Sequence, residues 1–269
     1  MSSTKNIVLV TGANTGIGYE TVKALLQSPT SYHILLGSRS VEKGNQAVAT
    51  LQAELPDAKG TVELLQLDLE SDESIAAAYE AIKAKHGHID TLVNNAGVQL
   101  DSDWHIRHLI TQRESFTRTF NVNVAGTHIL TYTLAPLLLR SASPRLIFIS
   151  SSLGSFTFAA DEAHFPFPPA TEPGWPKQVS LELASYRASK SALNMLMVDW
   201  KAKLRVDGVK VFAIEPGFLA TDIGGLKEIA IANGAGEPSE GGRMVASVVE
   251  GGRDGDAGEL IMKDGVVGF

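Results

Sequence analysis

The chain has 269 residues, 44% of them hydrophobic and 20% charged, a globular composition that excludes a disordered or fibrous protein. A formal net charge of -7 has the wrong sign for broad contact with a nucleic-acid backbone, so no nucleic-acid partner is expected. The absence of cysteine removes disulfides, thiolate nucleophiles and cysteine-based zinc sites.

In chain order, residues 6–10, 33–37, 61–67, 89–93, 145–150, 209–214 and 259–262 read as strands separated by helical patterns. The first run begins almost at Met1 and leaves no space for a secretory signal, so a cytoplasmic location is expected. After Ser71, the residues Ile75, Ala78, Tyr79 and Ile82 recur at helical spacing; Ser71 or Asp72 can cap the start and Gly87 the end. The neighbouring runs LLQLDL and IDTLVNN are almost continuously apolar, as strands buried on both faces must be. The apolar stretch from Ile129 to Leu139, broken by Thr131, Thr133 and Pro136, is too short to span a bilayer. The pattern predicts an α/β fold, a doubly wound (Rossmann) parallel seven-stranded sheet with helices on both faces, as a single domain over 1–269. A proline-rich insertion is expected at about 156–182. Five of its prolines (Pro166, Pro168, Pro169, Pro173 and Pro176) argue against a regular helix, and its aromatics suggest packing on the body or over a pocket.

The first strand runs into Thr11-Gly12-Ala13-Asn14-Thr15-Gly16-Ile17-Gly18 and then into a helical segment, Tyr19 to Gln27. Glycines in this context let the backbone turn tightly against a pyrophosphate, whose charge meets free N–H groups and the positive end of the helix. Gly12, Asn14, Thr15, Gly16, Ile17 and Gly18 are therefore candidate cofactor residues. The second strand ends in Ser38-Arg39, where a carboxylate favouring NAD is common. Arg39 can instead bind a ribose 2′-phosphate, with a neutral bond from Ser38, which predicts NADP(H) in preference to NAD(H). The alternative is a solvated residue at a helix start. Asp68, with Leu69 beside it, can receive the adenine amine or cap a helix. Tyr186 and Lys190, four apart in a helical pattern, share one face; a phenol needs a shift of roughly three units from about 10 to exchange protons near neutrality, and an ammonium has the sign to supply it.

The chain resembles the short-chain dehydrogenase/reductases along nearly its whole length, with motifs in the right order. They are TGANTGIG, Asn94-Asn95-Ala96-Gly97, Asn121 to Gly126, Ile149 to Gly154, Tyr186 to Lys190 and Pro216-Gly217. The resemblance implies a catalytic set of Asn123, Ser151, Tyr186 and Lys190. Tyr186 would exchange the proton with the substrate oxygen, Lys190 would lower its pKa and hold the nicotinamide ribose, Ser151 would orient the substrate, and Asn123 would support a water relay to Lys190. Ser150 and Ser152, and Asn121, are the neighbouring candidates set aside on motif frame. Asn94 would brace backbone, while Asn95, Ala96, Gly97 and Val98 would line the cofactor, as would Pro216, Gly217, Leu219 and Thr221. A substrate lid is implied at about 219–238, with Ile223 to Gly236 its mobile part.

The gap of 35 positions between Ser151 and Tyr186 exceeds the family's usual spacing, so a homo-oligomer is possible but the insertion would disfavour the usual interface. His105 and His108 can face one side of a helix, and His86 and His88 flank a turn, but neither pair has an evident third ligand, so no metal is expected. The expectation is an NADPH-dependent reductase of a ketone, aldehyde or quinone-like carbonyl in a lipophilic molecule, with alcohol oxidation as the reverse; compounds of secondary metabolism suit it. Phe156, Phe158, Phe165, Phe167 and Trp175 near the mouth favour such a substrate. The alternatives are a non-catalytic NADP(H)-binding regulator or scaffold, and a reductase of imines or activated C=C bonds.

Overall fold

Strand β1 (Asn6–Val10) shows why the sheet is covered on both sides: Ile7 and Leu9 enter one buried cluster and Val8 and Val10 enter the other. The computed structural model describes residues 6–161, 172–177, 179 and 181–269. After β1 come α1 (Gly16–Gln27), β2 (Tyr32–Ser38), α2 (Val41–Glu54), β3 (Thr61–Gln66), α3 (Asp72–Lys85) and β4 (Thr91–Asn94). The chain continues through α4 (Asp101–His105), α5 (Gln112–Phe120), a π-helical turn at Asn121–Gly126, α6 (Thr127–Leu138), β5 (Arg145–Ile149) and α7 (Phe156–Ala160). It closes with α8 (Ala184–Lys203), β6 (Lys210–Ile214), α9 (Lys227–Ala232), α10 (Pro238–Val249), β7 (Leu260–Met262) and β8 (Gly265–Val267).

The strand order is β3-β2-β1-β4-β5-β6-β7-β8, parallel except for the last pair. The expected doubly wound fold is present with one correction: the sheet has eight strands, because β8 folds back antiparallel on β7. Three residues after a two-residue turn are too short to carry an apolar period, which is why β8 escaped the sequence reading. One core packs α3, α6 and α8 on the sheet through Ile75, Leu130, Leu134, Leu193 and Met197. The other packs α1, α2 and α10 through Val22, Leu25, Leu51, Val245 and Val249. Ser71 caps α3 by accepting from the Ser74 N–H, which decides between the two cap candidates, and Gly87 follows the helix with φ of 76°.

The chain leaves β1 for one side of the sheet and β4 for the other, so the order reverses between them and a crevice opens at their carboxyl ends. The stretch expected as an insertion begins in a short helix, α7, which ends before the first of its prolines. Pro166, Pro168, Pro169, Phe165 and Phe167 lie outside the described residues. Phe156 and Trp175 are 75% and 88% exposed, so neither packs over a pocket; only Phe158 among the described aromatics of this stretch faces the cleft. Among the described residues, no helix is long and apolar enough to cross a membrane.

Candidate active site

A cleft of about 2190 Å³ runs across the carboxyl ends of the strands. At one end it is lined by Arg39, Lys43, Asp68 and Leu69, in the middle by Gly12, Asn14, Thr15, Gly16 and Ile17, and at the far end by Ser151, Tyr186 and Lys190. The glycine turn is shaped for close approach. Gly12 has φ of 60°, and a Cβ there would lie 2.9 Å from the Ala96 Cα. The following helix α1 has no side-chain cap at its N-terminus, leaving its first N–H groups directed at the cleft. Ala96, Gly97, Val98, Pro216, Gly217, Leu219 and Thr221 also line the cleft, where the sequence placed them.

Two expected cofactor contacts, Gly18 and Ser38, do not line the cleft, and one bracing role moves between neighbours, while Asn95 lines the cleft as well. Gly18 lies beneath the turn, not on the cleft; a Cβ there would sit 2.4 Å from the Asn95 amide nitrogen. Ser38 is buried, its hydroxyl lying 2.9 Å from Ser40 O and 3.2 Å from the side-chain oxygen of Asn14, so it supports the cleft-lining Asn14 from beneath and does not itself line the cleft. Backbone bracing falls to Asn95, not Asn94: the Asn95 amide donates to Thr11 O at 2.8 Å and Gly12 O at 3.2 Å, while Asn94 donates to the Thr131 hydroxyl. Both asparagines sit at the end of β4, where strand alternation sends them to opposite faces, and only one face holds the glycine turn.

Asp68 accepts from the Glu70 N–H and caps no helix. Arg39 is exposed and lies 3.9 Å from Glu70. Lys43, one turn into α2, adds a second cation at this end that the sequence reading missed; its spacing four after Arg39 was the available signal.

At the far end, Lys190 is buried and donates to Ile149 O at 2.7 Å, with its Nζ 5.5 Å from the centre of the Tyr186 ring. Burial lowers its pKa to about 8, against the opposing charge of Glu215. Tyr186 opens on the cleft but is enclosed by protein otherwise. Burial and the Glu215 carboxylate push its phenol above the ordinary value, and a hydrogen bond with Ser151 pulls it down. The depression expected from Lys190 does not appear; burial and Glu215 dominate, and the phenol stays protonated. Glu215 itself accepts from the N–H groups of Ser152 and Gly217. It braces the serine turn against the Pro216-Gly217 turn, a role that no local pattern advertised.

The neighbouring candidates separate cleanly. Ser150 bonds the Asn194 side chain inside the core, whereas Ser151 reaches Tyr186. Asn123 is buried in the π-helical turn, accepting from Val98 N–H at 2.8 Å and donating to Val98 O and the Ser189 hydroxyl. It does not line the cleft, while Asn121 points outward toward Glu70. The catalytic helix α8 starts at a residue with no capping side chain, Leu183. The cap comes from α4 instead: fully buried Asp101 accepts from Ser185 N–H at 3.0 Å, Tyr186 N–H at 3.0 Å and the Ser185 hydroxyl at 2.8 Å. In sequence, Asp101 reads as an ordinary helix-start acid, because the contact spans 84 positions.

Residues 219–236 close one wall of the cleft, tied at the base by a bridge between Leu219 and Gly236. The tip is held from α4 and the turn after it. The Ser102 hydroxyl donates to Gly224 O and the Arg107 guanidinium to Gly225 O, each at 2.7 Å. Gly224 has φ of 67°, and a Cβ there would collide with the Gln99 side chain at 2.1 Å. Apolar Phe158, Leu153, Val179, Leu226 and Ile229 face the substrate end.

The sequence profile of short chain dehydrogenases matches residues 6–163 and 176–229. The chain is 44% identical over 270 aligned residues to short-chain dehydrogenase/reductase tropE of Talaromyces stipitatus, covering 98% of both proteins. It is 46% identical to short-chain dehydrogenase/reductase eupG of a Phoma species, covering 92% of this chain and 91% of that one. Among solved structures, NADPH-bound carbonyl reductase from chicken fatty liver superposes with a TM-score of 0.77 at 24% identity, covering 98% and 99% of the two chains, a likeness of fold. The chain belongs to the short chain dehydrogenase family, and is an oxidoreductase of CH–OH and C=O groups that uses a nicotinamide cofactor.

Proposed function

We propose that the protein is an NADPH-dependent reductase of a ketone, aldehyde or quinone-like carbonyl carried on a lipophilic small molecule, with alcohol oxidation as the reverse reaction. The observation that carries this reading is one continuous cleft with two cations, Arg39 and Lys43, at its adenosine end and the Ser151, Tyr186 and Lys190 side chains at the other. Two guanidinium or ammonium groups four residues apart suit a 2′-phosphate, which a free ribose hydroxyl does not require. The chicken carbonyl reductase of the same fold binds NADPH, which agrees.

When bound, the nicotinamide supplies the hydride. The phenol of Tyr186, kept protonated by burial and by Glu215, donates its proton to the carbonyl oxygen as charge develops there. Ser151, already bonded to Tyr186, orients that oxygen. Lys190 is held at Ile149 O, beside Gly97, where its remaining donors can meet the nicotinamide ribose. Asn123 fixes Val98 and the Ser189 step of α8, and so acts on the register of Lys190 through the backbone. The apolar side chains of the lid wall and Phe158 match an apolar substrate.

The test is binding of NADPH and NADH to the purified protein, followed by the decay of absorbance at about 340 nm with aromatic ketones, aldehydes and quinones. Tighter NADPH binding with carbonyl-dependent oxidation supports the reading. Tighter NADH binding overturns the cofactor assignment, and tight NADPH binding without turnover of any carbonyl moves the protein to a binding or C=N/C=C-reducing role.

A further inference from the structure

In the amino-terminal halves of β2 and β3, away from the cleft at their carboxyl ends, three side chains from three elements converge. His33 lies near the start of β2, Glu63 in the middle of β3, and His86 caps the C-terminus of α3. His33 pairs in register with Thr61, so His33, Thr61 and Glu63 stand on one face of the sheet, and the end of α3 brings His86 over them. His33 lies five residues before Ser38, roughly 16 Å along the strand from the cofactor end.

Both imidazoles aim Nε2 at the same carboxylate oxygen, Glu63 Oε1, from 3.0 Å for His33 and 3.2 Å for His86. The rings lie 4.8 Å apart between centroids, tilted by 46°. An ion bound at about 2.0–2.1 Å by tetrahedral ligands separates them by about 3.3 Å, close to the two spacings to Glu63, and all three ligand atoms lie within 4.8 Å of one another. All three side chains are half-buried or less exposed, so their orientations are fixed by packing.

The outer partners also suit a metal. His33 Nδ1 meets the Thr61 hydroxyl at 2.8 Å; that hydroxyl can donate or accept, so the ring can present Nε2 as a lone pair while Nδ1–H is held. A pocket of about 460 Å³ lined by Asn6, His86, Gly87, His88, Asp90 and Arg140 opens beside His86 and gives solvent access. Opposing the site is Lys85, whose ammonium pairs with the other oxygen of Glu63.

We propose that His33, Glu63 and His86 form a second site, distinct from the cleft, that binds a borderline-soft divalent transition metal such as Zn²⁺ with water completing a tetrahedron. Two neutral nitrogens and one carboxylate select Zn²⁺, Co²⁺ or Ni²⁺ over Mg²⁺ or Ca²⁺, which demand oxygen ligands. Lys85 is the internal competitor: an ion at Oε1 must share Glu63 with an ammonium, which weakens the site. The site lies outside the reductase machinery, so it stands or falls separately from the proposed function.

The experiment is titration of metal-stripped, untagged full-length protein with Zn²⁺ by calorimetry, and with Co²⁺ followed by its visible absorption. The expected result is one ion per chain with the intense bands of tetrahedral Co²⁺, weakened about tenfold or more by His33→Ala and by His86→Ala. Lys85→Met is expected to tighten binding several-fold, a gain that loss of folding cannot produce. His33→Gln keeps a polar side chain against Thr61 and is expected to lose Co²⁺ absorption while retaining its melting temperature. No saturable binding, or binding unchanged in both alanine variants, overturns the proposal and leaves a hydrogen-bonded ion-pair cluster only. Unchanged affinity for Mg²⁺ and Zn²⁺ alike also overturns it.

Discussion

The two ends of the cleft are built by different rules. The cofactor end is made from short contiguous turns, at 11–18, 38–43, 68–69 and 95–98, each fixed by its own strand and helix. The substrate end is assembled from distant parts: α4 reaches 84 positions to cap α8, and 122 positions to hold the lid at Gly224. Turns of the first kind carry their chemistry in local patterns. Contacts of the second kind exist only once the chain has closed, so substitutions there should affect turnover without erasing cofactor binding.

The sharpest way to break this division is Tyr186→Phe. It is expected to lower turnover by at least about a hundredfold while leaving the NADPH dissociation constant within a few-fold, measured by absorbance decay and by quenching of protein fluorescence. Retained turnover would remove Tyr186 as the proton donor.

Removing both Arg39 and Lys43 by alanine substitution tests the other end. NADPH affinity should fall about a hundredfold, near tenfold per charge-assisted contact, with NADH affinity nearly unchanged. An equal loss for both cofactors would place these cations away from the 2′-phosphate.

Asp101→Ala should fall between the two ends in kind. Three buried donors at the start of α8 lose their acceptor, which costs about 2 kcal/mol and several degrees of melting temperature. Because Tyr186 is one of those donors, kcat should drop about tenfold while the cofactor dissociation constant holds, and Asp101→Asn should recover part of kcat. A fall in stability with kcat intact would make Asp101 a fold residue alone.

The smallest expected effect lies far from the cleft. Asp254 is held from its ordinary 3.8 down to about 2 by hydrogen bonds from Arg145 and Lys210. A depressed carboxylate adds stability above its unfolded pKa and loses it as pH falls through the folded value. Urea midpoints of the native protein should therefore decline between pH 5 and pH 2, and the decline should be shallower in Asp254→Asn.

The doubly wound sheet and its glycine turn were legible because strands buried on both faces and a strand-turn-helix junction leave local marks. Of the neighbouring frames, Ser151 reaches Tyr186 while Ser150 turns into the core, and Asn123 turns to Val98 and Ser189 while Asn121 points outward. What the sequence misassigned depends on which face of a strand end meets a neighbour: Asn95 and not Asn94 braces the turn, and Ser38 is buried against Ser40 and Asn14. What it missed altogether, namely Asp101, Glu215, Arg107 and the His33–Glu63–His86 convergence, has no local period, because each partner arrives from another part of the chain.

Both latches on the lid grip carbonyl oxygens, at Gly224 and Gly225, and touch none of its side chains. The fastening is therefore blind to what the lid displays. Leu226, Ile229 and Ala230, which face the substrate, can be exchanged for larger, smaller or polar groups while the wall stays shut, so long as positions 224 and 225 keep a residue without a Cβ. Such a device lets a new substrate be acquired by a few substitutions at α9 and the residue before it, with the proton donor, the cofactor cradle and the closure left as they were.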